Sequence, residues 1–205
     1  MCGVIGYMPI EEASGRSEAF GNLMRESRIR GMHAYGIYQR ECLHSTVLEQ
    51  IIAAFDPNYP AVAHCRYSTS GDWQELKNAQ PILVDDVALV FNGVISMKTK
   101  EEYEAEFNIK CNVDNDGEIF LRQELCSDAE FIRDMKGSFA GCILENGTLY
   151  VGRNARRPLW KCWYLEAWWY ASTADIFKRA DFPQPTEVPI GVESCERKRK
   201  IPLAI

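Results

Sequence analysis

The residue of this chain with the clearest chemical potential is Cys2, directly after Met1. An initiator methionine is removed when the next side chain is small, and its removal would give Cys2 a free α-amine. A cysteine thiol titrates near pH 8.5 and an α-amine near 7.7 to 8.0, so the amine can serve as base for the thiol. The alternative is that Cys2 packs as a small apolar residue at the start of a buried strand.

The other cysteines and the histidines give no sign of a metal centre or a disulfide framework. The eight cysteines contain no C-x-x-C pair, and none of the three histidines stands at zinc-ligand spacing from a cysteine or another histidine. No signal peptide and no run of about 18 apolar residues is present. We therefore expect a protein of the reducing cytoplasm with no cofactor, no metal and no membrane segment.

The bulk composition is that of one soluble domain. The chain has 205 residues, of which 46% are hydrophobic and 25% charged, and its formal net charge is −6. That charge argues against a general nucleic-acid-binding surface. The one dense basic run, residues 197–200, is expected to lie on a solvated strand or loop within a final strand over 189–203.

Hydrophobic periodicity and turn residues predict a layered α+β fold. Helices are expected at 17–30, about 98–107, 116–126, 128–135 and 174–180. Strands are expected at 3–8, 35–40, 43–50, 61–67, 82–84, 87–91, 138–144, 148–152, 159–165 and 168–172. Asn92 and Gly93 are expected to end the strand 87–91, since Asn-Gly is a common turn sequence.

Four separated segments then resemble one known family. They are Cys-Gly-Val-Ile-Gly at 2–6, Arg-Gly-Met-His-Ala-Tyr-Gly-Ile at 30–37, His-Cys-Arg-Tyr-Ser-Thr-Ser-Gly at 64–71 and Asn-Gly-Val-Ile at 92–95. In this order they resemble the class II glutamine amidotransferase domain, an N-terminal-nucleophile hydrolase. The likeness is greatest to the glutaminase domains of amidophosphoribosyltransferase and glucosamine-6-phosphate synthase. It implies a four-layer αββα sandwich that fills residues 1–205 as a single glutaminase domain.

The resemblance implies hydrolysis of the glutamine side-chain amide to glutamate and ammonia through a thioester. Cys2 would be the nucleophile, with its own α-amine, through a water molecule, as base and later acid. The Asn92 side-chain amide and the Gly93 backbone N–H would form the oxyanion hole. The competing interpretation of Asn92 and Gly93 is a plain turn.

The resemblance also implies which residues hold the amino-acid end of glutamine. Arg66 would bind the α-carboxylate, with Thr69 and Ser70 adding hydroxyl or backbone contacts. Asp116 would accept hydrogen bonds from the α-ammonium group. Asp114 is the competing acid, and either aspartate could instead cap a helix N-terminus.

Three further residues are expected to support the pocket, and three positions depart from relatives. Arg30 and Gly31 shape the pocket floor in the family, and Tyr67 belongs to the same supporting set. This chain has His33 where many relatives have Asp, Phe91 where a His often precedes Asn-Gly, and Ser70 where the glucosamine-6-phosphate synthase type has His. We interpret His33 and His64 as structural.

The expected partners are glutamine as substrate and a separate synthase subunit that accepts the ammonia. The resemblance fills the chain, and no phosphoribosyl-binding loop, isomerase domain or ATP-pyrophosphatase motif is found in it. Two alternatives stay open: an N-terminal-cysteine hydrolase of another amide, and a catalytically degenerate partner domain. An arginine together with an aspartate on one ligand favours a zwitterionic amino acid over a simple amide.

Overall fold

Two antiparallel sheets form the centre of the molecule. The computed structural model describes residues 1–68, 75–95, 97–122 and 129–196. The seven-stranded sheet has the order β11-β9-β10-β1-β4-β2-β3, and the five-stranded sheet has the order β12-β8-β7-β6-β5. The strands are β1 (Gly3–Pro9), β2 (Ala34–Tyr38), β3 (Cys42–Ser45), β4 (Ala61–Arg66), β5 (Ile82–Val84), β6 (Val87–Val94), β7 (Ser138–Glu145), β8 (Thr148–Arg153), β9 (Trp160–Tyr164), β10 (Ala167–Ala171), β11 (Thr186–Glu187) and β12 (Gly191–Cys195).

The helices of the described residues are short, and most of them pack on the outer faces of the sheets. They are α1 (Arg16–Ser27), α2 (Leu48–Ala53), α3 (Lys100–Phe107), α4 (Gly117–Arg122), α5 (Ala129–Asp134) and α6 (Ala174–Arg179). Three-residue 3-10 turns follow α1 at Arg28–Arg30 and precede β5 at Leu76–Asn78. Within the described ranges, no helix has the length and apolar character needed to cross a membrane.

Three apolar clusters give the fold four layers. The cluster between the sheets includes Val4 and Val62 from one sheet and Val90 and Cys142 from the other. A second cluster packs α1, α2 and α6 onto the outer face of the seven-stranded sheet. A third packs α4 and α5 onto the outer face of the five-stranded sheet. Because each sheet is apolar on both faces, it needs a layer on either side, and the predicted αββα sandwich is confirmed.

Two predicted boundaries are wrong for local reasons. The strand predicted over 43–50 ends at Ser45 and is followed by α2, since the Ser45 hydroxyl accepts the Val47 N–H at 2.9 Å and donates to Gln50 Oε1 at 2.6 Å. Asn92 and Gly93 do not end the second strand of the hairpin or form a turn. They lie within β6, which continues to Val94 because β7 pairs with it to that point.

The remaining differences concern short elements. The helix predicted over 17–30 changes to a 3-10 turn after Ser27, and β11, with two residues, is too short for periodicity to predict. The final strand is β12 in the described part of the chain. The basic run at 197–200 and the end of the helix predicted over 116–126 lie outside the described residues.

Candidate active site

Strand alternation brings Cys2, Arg66 and Asn92 to one end of the space between the sheets. Along a strand, every second side chain points to the same face. Val4 and Val90 lie in the core between the sheets, so Cys2 and Asn92, each two residues away, point to the same space. The pairing of Gly3 with Cys65 places Cys2 opposite Arg66, which is 5% exposed. Two strands of one sheet and one of the other thus supply the three side chains.

Asn92 contacts Cys2 directly through its side-chain amide. The Cys2 backbone N–H donates to Asn92 Oδ1 at 3.1 Å, although the residues are 90 positions apart in the chain. Asn92 is 3% exposed, and its Nδ2 is buried with no hydrogen-bond partner among the described residues. A buried donor left unused costs free energy, so such a group in a folded protein calls for an explanation. A substrate oxygen at this position would satisfy it.

Gly93 offers a backbone N–H on the side of β6 away from β7. The Phe91 N–H donates to Gln80 Oε1 at 2.6 Å on the side of β6 that faces β5. Because N–H groups alternate along a strand, the Gly93 N–H points to the same side. The pairing of β5 with β6 ends at Leu89, so β5 does not pair with Gly93. A Cβ at position 93 would lie 1.9 Å from the Ser138 carbonyl oxygen, so only glycine fits. Gly93 lines a cavity of about 280 Å³ that Asp116 also lines.

The Cys2 sulfur is held against the backbone of Tyr67. The Tyr67 N–H donates to Cys2 Sγ at 3.5 Å, and the thiol can donate to the Tyr67 carbonyl oxygen, also at 3.5 Å. Burial raises the pKa of the Cys2 thiol, and this effect is opposed by the Tyr67 N–H, the chain's N-terminal charge and the guanidinium groups of Arg66 and Arg30. Since the net shift is upward, the thiol is the main form at neutral pH, and attack needs a base.

Arg30 and Gly31 lie beside Cys2 and the end of β4. Arg30 Nε donates to the Cys2 carbonyl oxygen at 2.8 Å, which fixes the first peptide of β1. A Cβ at Gly31 would lie 2.3 Å from the Arg66 carbonyl carbon and 2.5 Å from the Tyr67 nitrogen. The absence of a side chain therefore lets the segment after α1 run directly against the end of β4.

Asp116 lies on the Gly93 side of the site. Its Oδ2 accepts the Ile95 N–H at 2.7 Å, which ties the end of β6 to the start of α4. The Gly117 N–H at the start of α4 donates to Asn115 Oδ1 at 3.1 Å. Asn115 therefore makes the helix-capping bond that the sequence suggested for Asp114 or Asp116. Asp114 lines the same cavity and its N–H donates to Asn78 Oδ1 at 3.0 Å.

Two buried residues support the site and were missed from the sequence. The Glu118 carboxylate is fully buried, accepts the N–H groups of Asn112 and Val113 at 2.8 and 2.7 Å, and pairs with Arg122 at 2.6 Å. It thereby fixes the loop that carries both aspartates. The Glu-to-Arg spacing of four residues along a helix was the signal available.

Ser172 is the second missed residue. Its hydroxyl accepts the Val4 N–H at 2.8 Å and lies 3.4 Å from the Cys2 carbonyl oxygen, to which it can donate. It thus continues the bonding of β1 to β10 beyond their last paired residues. No local pattern marks this role, because its partners are about 170 residues away in the chain.

The remaining residues considered from the sequence are Thr69, Ser70 and His64. Thr69 and Ser70 lie outside the described residues. His64 is fully buried, and burial lowers its pKa to about 3, so it is neutral at physiological pH, as suits a structural residue. Within the described parts of the chain, no cluster of histidine, cysteine, aspartate or glutamate could hold a metal ion.

Several solved structures share this fold. The allosteric regulatory enzyme of purine biosynthesis matches with a TM-score of 0.68 at 20% identity over 95% of this chain and 49% of its own. Glutamine phosphoribosylpyrophosphate amidotransferase from B. subtilis matches with 0.66 at 19% over 95% and 49%. A glutamine aminotransferase class-II domain protein from Silicibacter pomeroyi matches with 0.56 at 9% over 95% and 99%. At such identities the likeness concerns the fold alone, and this chain spans about half the length of the first two.

Sequence comparison gives the family. No curated protein sequence matches the chain. The family model described as a glutamine amidotransferase domain matches residues 64–179, more than half of the chain. That stretch runs from β4 through β6, with Arg66 and the Asn92–Gly93 pair, to Asp116 and on to α6. The chain therefore belongs to the glutamine amidotransferase domain family.

Proposed function

We propose that this chain hydrolyses the side-chain amide of glutamine with Cys2 as an N-terminal nucleophile and passes the ammonia to an acceptor. Family membership supports an enzyme that hydrolyses glutamine and transfers ammonia. The observation that carries the finer mechanism is the contact of the Cys2 nitrogen with Asn92 Oδ1 at 3.1 Å, beside a buried and unused Asn92 Nδ2. The Asn92 side chain thus contacts the nucleophilic residue and also provides a donor for the oxyanion.

The reaction begins with removal of Met1, which is 63% exposed. The freed α-amine of Cys2 keeps its hydrogen bond to Asn92 and takes the thiol proton, through a water molecule. The sulfur attacks the amide carbon, and the C–N bond then breaks as the ammonium group returns the proton to the leaving nitrogen. Water hydrolyses the resulting thioester, which releases glutamate and restores the thiol.

The charge that develops on the amide oxygen is stabilised by two neutral donors. Asn92 Nδ2 is buried, and the Gly93 N–H lies on the side of β6 away from β7; Gly93 also lines the cavity beside Asp116. Because both donors are fixed by strand β6 before substrate binds, they need no reorganisation during the reaction. Rigid donors of this kind act on the transition state more than on the bound substrate.

Glutamine is selected through its amino-acid end. Arg66, close enough to Cys2 to lower its pKa, binds the α-carboxylate with its planar guanidinium group. Asp116, which lies on the other side of Asn92 and Gly93, accepts hydrogen bonds from the α-ammonium group. Thr69 and Ser70 are proposed to add contacts to the carboxylate. Opposite charges at the two ends of the site favour a zwitterion and disfavour a simple amide.

The proposed partner is an ammonia-consuming synthase on a separate polypeptide. Support comes from family membership, since a glutamine amidotransferase domain implies an acceptor for the ammonia it releases. Co-purification from the source cells should recover the chain with an ammonia-consuming enzyme. Recovery of the chain alone, with full activity unaffected by any added protein, would argue for a stand-alone glutaminase.

The direct test is glutamate release by Cys2→Ala compared with Cys42→Ala. Cys42 is another half-buried cysteine, and burial raises the pKa of its thiol to about 11, so it is a matched control. We expect Cys2→Ala to lose glutaminase activity while its unfolding temperature stays close to wild type, and Cys42→Ala to stay active. Turnover that survives in Cys2→Ala contradicts the mechanism, and hydrolysis of other amides but not glutamine contradicts the substrate.

A further inference from the structure

Among the described residues, the backbone of Tyr67 is hydrogen-bonded to the Cys2 sulfur. Its N–H donates to Sγ at 3.5 Å, a contact that favours the thiolate over the thiol. The Tyr67 side chain is 48% exposed, so burial of its ring does not fix the position of this peptide. Some other group must hold the Tyr67 backbone against the sulfur.

His33 contacts three successive residues around that backbone. Its N–H donates to the Arg66 carbonyl oxygen at 3.0 Å, and its Nδ1 accepts the Ser68 N–H at 3.0 Å. Its ring stacks on the Tyr67 ring, with centroids 5.0 Å apart and planes at 25°. The three contacts hold the Tyr67 peptide from both sides, and Gly31 allows the close approach that they need.

We propose that His33 is a positioning residue of the nucleophile, which fixes the Tyr67 N–H on the Cys2 sulfur by accepting the Ser68 N–H at Nδ1. A neutral imidazole accepts at Nδ1 only when its proton is on Nε2, so the proposal commits to that tautomer. It extends the proposed function, and rests on it for the role of Cys2 as nucleophile.

Two substitutions distinguish the role of the Nδ1 acceptor of His33 from the role of its ring. His33→Asn keeps an oxygen on the same branch atom as Nδ1 and loses the ring. His33→Phe keeps a ring that can stack on Tyr67 and loses the acceptor. Met32→Leu is the control, since Met32 is the adjacent residue and its side chain is 64% exposed.

The readout is the rate of Cys2 alkylation by iodoacetamide against pH, mapped by peptide mass spectrometry. We expect the midpoint to rise by about one pH unit in His33→Phe, the scale of one hydrogen bond to a charged group, and to stay at the wild-type value in His33→Asn and Met32→Leu. Iodoacetamide needs no glutamine pocket. A protein that shows this pattern but hydrolyses no glutamine would therefore refute the proposed function and leave the role of His33 intact.

Several results would overturn the role of His33. An unchanged midpoint in folded His33→Phe would do so, and so would equal shifts in His33→Phe and His33→Asn. Where His33→Phe fails to fold, long-range ¹⁵N–¹H NMR of the wild-type protein decides, because it identifies the tautomer of each histidine. A proton on Nε2 of His33 supports the proposal, and a proton on Nδ1 overturns it.

Discussion

Asn92 can do two things at once because an amide side chain carries both an acceptor and a donor. Its oxygen takes the Cys2 N–H at 3.1 Å, which leaves its nitrogen as a buried donor without a partner among the described residues. At the residue scale, the same bond that places the nucleophile therefore also sets the direction of the proposed oxyanion donor. A serine or threonine hydroxyl is too short to serve both groups in this way.

The substitution Asn92→Asp separates these two roles. Aspartate keeps an oxygen for the Cys2 nitrogen and replaces the Nδ2 donor with a second oxygen. We expect kcat for glutamine hydrolysis to fall by ~10²–10³-fold, with a much smaller change in KM, because the donor acts on the transition state. Steady-state kinetics checks this, with the unfolding temperature as control. A wild-type kcat would show that Asn92 holds the nucleophile and does not bind the oxyanion.

At the scale of elements, the site depends on backbone segments that approach neighbouring strands more closely than a side chain between them would allow. Gly31 packs on the end of β4 and Gly93 on the start of β7, and in both cases a Cβ would meet backbone atoms. Backbone atoms of a sheet cannot move aside as the end of a flexible side chain can. These two glycines are therefore expected to be required for the position of their strands.

The substitution Gly31→Ala tests the close contact of Gly31 with the end of β4 without changing a functional side chain. We expect the free energy of unfolding in urea to fall by about 1–3 kcal/mol, the usual cost of overpacking. Gly21→Ala is the matched control, because its added methyl would meet Arg25 Nη1 at 3.2 Å and Ile52 Cγ2 at 3.3 Å, both ends of side chains, in the middle of α1. Equal stability of the two variants would mean that the contact at Gly31 is relaxed at little cost.

Sequence patterns predicted most elements but not their exact ends. Alternation and turn residues indicated most of the strands, and the family resemblance implied the sandwich and the roles of Cys2, Arg66 and Asn92. The helix α2 was missed because its first residues, 48–50, were included in the strand predicted over 43–50, and so short a stretch does not distinguish a strand from one helical turn. Asn92 and Gly93 were taken for the end of a strand, because local turn propensity does not reveal that β7 lies alongside them.

At the scale of the whole molecule, the site exists because two sheets face each other in one register. Cys2 and Arg66 belong to the seven-stranded sheet, while Asn92 and Gly93 belong to the five-stranded sheet. The hydrogen bonds of Cys2 to Tyr67, Asn92 and Ser172 span 65 to 170 positions of the chain. No window of sequence contains such information, which is why the role of Ser172 was missed.

The packing between the sheets should also give the protein a specific acid sensitivity. Burial lowers the pKa of His64 to about 3 in the folded state, whereas an unfolded histidine titrates near 6.5. Between these values the unfolded chain binds more protons, so the unfolding free energy should fall as the pH drops, by up to about 1.4 kcal/mol per pH unit. We expect His64→Gln to show a shallower slope in urea unfolding at pH 4 to 6.5. An unchanged slope would assign the acid sensitivity to other groups.

The decisive measurement for an N-terminal nucleophile is the intact mass of the purified protein before and after reaction with a glutamine-mimicking diazo-ketone. The proposed mechanism requires that Met1 is absent from the mass and that one adduct forms, mapped to Cys2. Excess glutamine should protect against that adduct. A retained Met1, or a Cys2 that the reagent leaves unmodified while the protein is folded, would contradict an N-terminal nucleophile in a glutamine-binding site.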